Sequence, residues 1–91
     1  MKYNKYEDIY PLTIIPDRYN GAFSGGKWLA FNMYHYNIPD EVDDGDMECW
    51  NFWDEQRELE KNSNNYFRIG IGNTIDEAMK DLLNKMNEWR G

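Results

Sequence analysis

The chain has 91 residues, of which 41% are hydrophobic and 16% aromatic, and its formal net charge at pH 7 is −7. This length suits one domain over residues 1–91, and the apolar content is too high for a disordered chain. No apolar run approaches the roughly 20 residues that cross a bilayer, which excludes a membrane-spanning segment. A single cysteine, Cys49, excludes an internal disulfide. The polar N-terminus lacks the apolar core of a secretory signal, so we expect a cytoplasmic protein.

The first third of the chain predicts a β-hairpin. Residues 1–8 are polar without periodicity and are expected to form a loose arm. Residues 10–16 are β-branched and bounded by prolines, which indicates an edge strand, since proline has no N–H to donate to a neighbour. The glycine-rich stretch 17–26 predicts a long turn, and residues 27–34 predict the second strand. Alternation in this strand predicts two faces, with Leu29, Phe31 and Met33 on one and Trp28, Ala30 and Asn32 on the other.

The middle of the chain is harder to interpret. Residues 46–60 loosely fit helical spacing, with two stripes that hold most of the apolar positions from 47 to 54, and we predict a helix there. Residues 61–65 are polar and predict a loop, while 66–72 alternate and predict a third strand. The helical stripes are Met47, Trp50 and Asp54 in one and Cys49 and Trp53 in the other, with Phe52 outside both, and the strand face holds Phe67, Ile69 and Ile71.

The C-terminal segment predicts an amphipathic helix. Thr74 and Glu77 have the spacing of a capping box, and Gly91 stands where the helix is expected to stop. Two acid–base pairs at i,i+4 spacing are expected on the solvent-facing side. The predicted fold is therefore α+β: a three-stranded, mostly antiparallel sheet, covered on one face and packed on this helix, with a second, shorter acidic helix. The apolar stripe is Ile75, Ala78, Met79, Leu82, Leu83 and Met86, and the pairs are Asp76–Lys80 and Asp81–Lys85.

The negative charge is concentrated in residues 40–60, which hold ten acids against one base, Arg57. The remainder of the chain carries seven acids and nine bases. Such a segment produces a directional field that attracts basic surfaces and repels nucleic acid, so direct nucleic-acid binding is not expected. The acids are Asp40, Glu41, Asp43, Asp44, Asp46, Glu48, Asp54, Glu55, Glu58 and Glu60.

No motif in the chain predicts catalysis, a metal or a cofactor. The calcium-loop template laid on Asp40 matches at Asp44 and Gly45 but fails at Val42 and Asn51. The strand-to-helix turn at 70–74 lacks the third glycine and the lysine of phosphate-binding loops, so we interpret it as a turn. The lone histidine and cysteine are interpreted as structural residues rather than as a catalytic pair: His35 stacked on neighbouring tyrosines and Cys49 in the core.

Two resemblances bear on function. The stretch 69–78, IGIGNTIDEA, followed by Leu82, resembles the strand–turn–helix segment of HicB-type antitoxins. This implies an antitoxin-like module that masks a partner protein. The hairpin formed by 11–15 and 25–28, in a short, acidic, aromatic-rich chain, resembles small anti-CRISPR and other anti-defence inhibitors of phages and mobile elements, several of which imitate the charge of nucleic acid.

Together these features predict a non-enzymatic, phage-encoded inhibitor in the host cytoplasm. Its acidic segment is expected to bind the basic, nucleic-acid-binding surface of a host protein or ribonucleoprotein complex, with exposed tryptophans as anchors. The alternatives are the antitoxin-like module and a protein that sequesters nucleotide signals through loops 21–26 and 70–73. The sequence leaves the oligomeric state open, including a homodimer. The predicted partner-binding residues are Asp40, Glu41, Asp43, Asp44, Asp46, Glu48, Trp50, Trp53, Asp54 and Glu55.

Overall fold

A computed structural model describes residues 5, 8–42, 45–62 and 68–88 of the chain. The element order confirms the predicted α+β fold. Most of the predicted arm at 1–8, the loop residues 63–65, Phe67 and Gly91 lie outside the described residues. The elements are β1 (Thr13–Pro16), β2 (Trp28–Phe31), short 3-10 turns at His35–Asn37 and Asp40–Val42, α1 (Asp46–Asn62), β3 (Ile69–Gly72) and α2 (Ile75–Glu88).

The three strands form an antiparallel sheet in the order β1-β2-β3. In the first pair Ile14 lies opposite Ala30, and in the second Ala30 lies opposite Gly70. The first strand is an edge strand, as its prolines predicted. Among the described residues the third strand forms the other edge.

The sheet is covered on both faces, so the expectation of one covered face is wrong. The alternating faces of β2 were predicted correctly, and since both are apolar each needs its own cover. On one face Leu29 and Phe31 pack with α1, and on the other Ala30 packs with α2. The buried cluster under α1 contains Leu29, Phe31, Val42, Cys49, Trp53 and Ile69, and the cluster under α2 contains Ile9, Ala30, Ala78, Leu82 and Met86.

Helix α1 confirms the predicted helix but differs in length and orientation. It has 17 residues against 14 for α2, so the acidic helix is not the shorter one. Its buried side runs through Cys49, Phe52, Trp53 and Gln56, which are spaced at i, i+3, i+4 and i+7. Polar Gln56 completes this stripe, and for that reason the apolar periodicity alone did not reveal it. Within the described residues, neither helix combines the length and apolarity needed to cross a bilayer.

Helix α2 begins with the predicted cap. The Glu77 N–H donates to Thr74 Oγ1 at 3.1 Å, while Glu77 Oε1 accepts from the Asn73 N–H at 2.9 Å. The return bond thus reaches one residue further back than in the standard box. Ala78, Leu82 and Met86 are buried as the stripe predicted, whereas Ile75 at its start is 42% exposed.

Replacing Thr74 by alanine is expected to lower the free energy of unfolding by about 1 kcal/mol, because the Glu77 N–H loses its acceptor. Urea denaturation followed by circular dichroism measures the change. Thr74→Ser keeps the hydroxyl and should stay within a few tenths of a kcal/mol of the parent. Equal losses in the two variants would mean that the hydroxyl does not cap the helix.

The glycines of β3 are a site of close packing between this strand and α2. An ideal Cβ on Gly70 would lie 2.0 Å from the Ala78 carbonyl oxygen, and one on Gly72 would lie 2.5 Å from the Ala78 nitrogen. The glycines therefore let α2 approach the strand closely. Gly70 and Gly72 belong to β3, so the turn predicted at 70–74 is shorter in the structure and begins after Gly72.

Candidate protein-binding surface

The described acids of the 40–60 segment all lie at the surface. Asp40 and Glu41 lie in the 3-10 turn before α1, and Asp46 begins the helix. Asp43 and Asp44, also predicted as binding residues, lie outside the described residues. The helical repeat gathers most of the others on the side opposite the core. We define the α1 outer face by the exposed residues Met47, Glu48, Trp50, Asp54, Glu55 and Glu58.

Two large apolar side chains lie among these carboxylates. Trp50 is 48% exposed, as expected for a binding residue, and Met47 is 64% exposed. They are three residues apart on one helix and are therefore neighbours, with Asp54 a further turn along from Trp50. Sequence reasoning placed Met47 in a helical stripe but missed its exposure. The stripe of Met47, Trp50 and Asp54 is a surface feature, not a core feature.

Trp53 was predicted as a second exposed anchor, and this is wrong. It is 1% exposed and packs among the buried residues between α1 and the sheet. Its ring meets Phe52 edge-to-face, with the centroids 5.1 Å apart. Trp53 packs over β2, where it lies with Leu29 and Phe31. Trp50 points in a different direction from the helix axis and lies at the surface.

The helix is tied to the rest of the molecule by two side-chain hydrogen bonds. Near its start, Cys49 Sγ donates to the Val42 carbonyl oxygen at 3.3 Å, in agreement with its interpretation as a core residue. Further along, Arg57 Nη1 donates to the Phe23 carbonyl oxygen at 2.9 Å. The single base of the acidic segment is thus bonded to the glycine-rich loop. A helix anchored in this way holds its outer face in one orientation.

The loop at 17–26 is organised by an acid that sequence reasoning overlooked. The carboxylate of Asp17, which is 7% exposed, accepts the N–H groups of Tyr19 and Gly21. The spacing Asp-x-x-x-Gly, from Asp17 to Gly21, was the signal in the sequence for this turn.

Burial raises the pKa of Tyr19 above its usual value, and a hydrogen bond with Asp46 adds to the effect.

A second exposed cluster, of tyrosines, lies where β2 runs into the 3-10 turn. The rings of Tyr34 and Tyr36 are stacked 5.3 Å apart, and Tyr10 meets Tyr34 edge-to-face at 6.1 Å. The hydrogen bond between Tyr34 and Tyr10 raises the pKa of Tyr34. His35 lies in the 3-10 turn and contacts the neighbouring Tyr36, with the rings edge-to-face at 5.4 Å rather than stacked as expected.

The two residues weighed as a catalytic pair have different environments. Cys49 is fully buried and bonded to a backbone carbonyl, whereas His35 is exposed. Within the described ranges, no three side chains of histidine, cysteine, aspartate or glutamate come together as metal ligands. The candidate surface of the described chain is therefore the α1 outer face.

The chain was compared with protein-family models, with curated proteins and with solved structures, and none of the three comparisons gives a match.

Proposed function

We propose that this protein is a non-enzymatic inhibitor that docks the α1 outer face on the basic, nucleic-acid-binding surface of a host protein or ribonucleoprotein complex. A phage-encoded, anti-defence role of the anti-CRISPR kind is the biological setting that the resemblance suggests. In this role, carboxylates take the place of nucleic-acid phosphates in contacts with arginine and lysine. The bound inhibitor then covers the partner's nucleic-acid-binding surface, and no chemical reaction is required.

The observation that carries the proposal is the combination of exposed acids and exposed apolar side chains on one anchored helix. Acids alone would serve solubility, but Trp50 beside Met47 adds the kind of side chain that dominates affinity at interfaces. A tryptophan ring also accepts an arginine guanidinium on its face. Because α1 is already folded and tied down, little conformational entropy remains to be lost on docking.

The two alternatives use other features. An antitoxin-like module would depend on Trp50 more than on the surrounding charge, so the variants below separate it from a nucleic-acid mimic. A nucleotide-binding role would use the glycines of β3 and the turn that follows it, but α2 occupies the space beside Gly70 and Gly72. The Asn73 N–H at that turn is bonded to the Glu77 carboxylate, which also repels a phosphate. The geometry of residues 70–73 therefore does not favour phosphate binding there.

Neutralising two carboxylates of the α1 outer face is expected to weaken partner binding. Asp54→Asn with Glu55→Gln should raise the dissociation constant roughly tenfold at low salt, because two charge-assisted contacts are lost. The partner is first isolated on the immobilised chain and purified. Its affinity for the parent and the variant is then measured by calorimetry at several NaCl concentrations, along with displacement of a labelled oligonucleotide from the partner.

The matched control removes the same charge elsewhere. Asp76 and Glu88 are exposed acids of α2, outside the acidic segment. Asp76→Asn with Glu88→Gln should leave the affinity within about twofold of the parent, since screening weakens distant charges. Equal losses in both variants, an affinity independent of salt, or no displacement of the oligonucleotide would each contradict the proposal. A loss with Trp50→Ala that far exceeds the loss from charge removal would favour the antitoxin-like module.

A further inference from the structure

The outer edge of β3 is closed by two side chains of α2. The third strand pairs with β2 on one side, and on its other side the Ile71 N–H donates to Asp81 Oδ2 at 2.9 Å. Next to it, Lys85 Nζ donates to the Ile69 carbonyl oxygen at 2.8 Å. The two side chains are themselves ion-paired, with Lys85 Nζ and Asp81 Oδ2 3.0 Å apart. One acid and one base thus satisfy a backbone donor and a backbone acceptor of the same edge.

This pair differs from its neighbour on the same helix. Asp76 and Lys80 have the same spacing, and Lys80 Nζ lies 3.1 Å from Asp76 Oδ2. Their side chains are well exposed, however, that of Asp76 by 58% and that of Lys80 by 65%. The Lys85 side chain is 16% exposed and that of Asp81 36%. Both pairs were expected to lie on the solvent-facing side, and for Asp81–Lys85 that expectation is wrong. This pair is partly buried, and each of its two side chains makes a hydrogen bond to the sheet edge.

An edge such as β3 readily pairs with another strand when nothing covers it. Its sequence, IGIG, carries no charge and no proline, the two usual deterrents to intermolecular pairing. Antiparallel pairing of two copies about Gly70 would place Ile69 of one chain opposite Ile71 of the other. Each Ile71 N–H would then meet the partner's Ile69 carbonyl, so a second copy supplies bonds to the same two groups that Asp81 and Lys85 now satisfy.

We propose that Asp81 and Lys85 form an edge mask that prevents two copies of this chain from joining through β3 into a six-stranded sheet. The mask works by complementarity, because the carboxylate faces the N–H and the ammonium faces the carbonyl. Intermolecular contact is thereby left to other surfaces, such as the α1 outer face. The proposal does not depend on the proposed function.

The sharpest test exchanges the two residues. The double variant Asp81→Lys, Lys85→Asp keeps the composition, the net charge and an i,i+4 ion pair, but it presents an ammonium to the Ile71 N–H and a carboxylate to the Ile69 carbonyl. The matched control, Asp76→Lys with Lys80→Asp, makes the same exchange at the exposed pair. Sedimentation equilibrium at several protein concentrations gives the molecular mass of each variant. Far-ultraviolet circular dichroism checks that each variant is folded.

We expect the exchange at 81 and 85 to strengthen self-association at least tenfold, with the parent and the control remaining monomeric. Amide hydrogen exchange at Ile71 should accelerate at least tenfold in the dilute variant, because a hydrogen bond to a charged group is lost, and slow again as the dimer forms. If the exchange unfolds the chain, Lys85→Met provides the test, since it keeps an aliphatic side chain of similar length and removes the ammonium that donates to Ile69 and pairs with Asp81. Equal masses for parent, folded variant and control, or a parent that already dimerises through β3, would overturn the proposal.

Discussion

Replacing Gly70 by alanine is expected to destabilise the protein by about 3 kcal/mol or more. The new Cβ would lie 2.0 Å from the Ala78 carbonyl oxygen, 2.6 Å from Leu82 Cβ and 2.7 Å from the Leu82 nitrogen. Two of these atoms belong to the helix backbone, so no rotation of a side chain relieves the overlap. Helix α2 must move away from β3, and the buried contacts of Ala78 and Leu82 are then loosened together. A domain of this length has a total stability of only about 5–14 kcal/mol.

Gly25→Ala is the control for this prediction. That glycine has φ +105°, which disfavours alanine, but no atom lies within 4 Å of its ideal Cβ. We expect a loss of about 1–2 kcal/mol from backbone conformation alone. Chemical denaturation with urea gives both values. Similar losses in the two variants would show that steric overlap with α2 is not what selects glycine at 70.

The elements with regular patterns were predictable because their apolar residues recur with the period of a helix or of a strand. The stripe of α2, its cap at Thr74 and the two faces of β2 all follow from spacing along the chain. The cover on both faces of the sheet was not predicted. The buried side of α1 includes the polar residue Gln56, so a search for apolar spacing did not identify that side as buried. Close packing at Gly70 depends on the distance between strand and helix, which no local pattern contains.

The candidate surface was predictable in its charge but not in its apolar members. The acids were identified by composition, and the described ones are exposed. Trp50 and Trp53 lie three residues apart, so their directions on the helix differ by only about 60°. That difference decides between solvent and core, and two competing apolar stripes left it open. The roles of Asp76–Lys80 and Asp81–Lys85 differ for a similar reason: their spacing is identical, and only tertiary packing brings one pair to the edge of β3.

Replacing Trp53 by alanine is expected to cost about 3–5 kcal/mol, the range for a large buried aromatic that leaves a cavity. Trp53 is the largest fully buried side chain of the described residues and contributes to the cluster that joins α1 to the sheet. Its loss should therefore loosen the attachment of the whole acidic helix. Thermal unfolding should show a fall of the midpoint by more than about 10 °C for a domain of this size. Trp53→Phe should cost less, since a ring still fills most of the space.

The same change at Trp50 separates stability from binding. Trp50→Ala removes a ring that is 48% exposed, so it is expected to lower the free energy of unfolding by only about 1 kcal/mol, well below the loss at Trp53. If Trp50 anchors a partner, the variant should nevertheless bind that partner at least tenfold more weakly, the effect typical of a central interface tryptophan. Comparable destabilisation by the two alanine variants would contradict the assignment of Trp53 to the core. A stable Trp50→Ala protein with unchanged affinity would remove the apolar anchor from the α1 outer face, because the carboxylates alone would then account for binding.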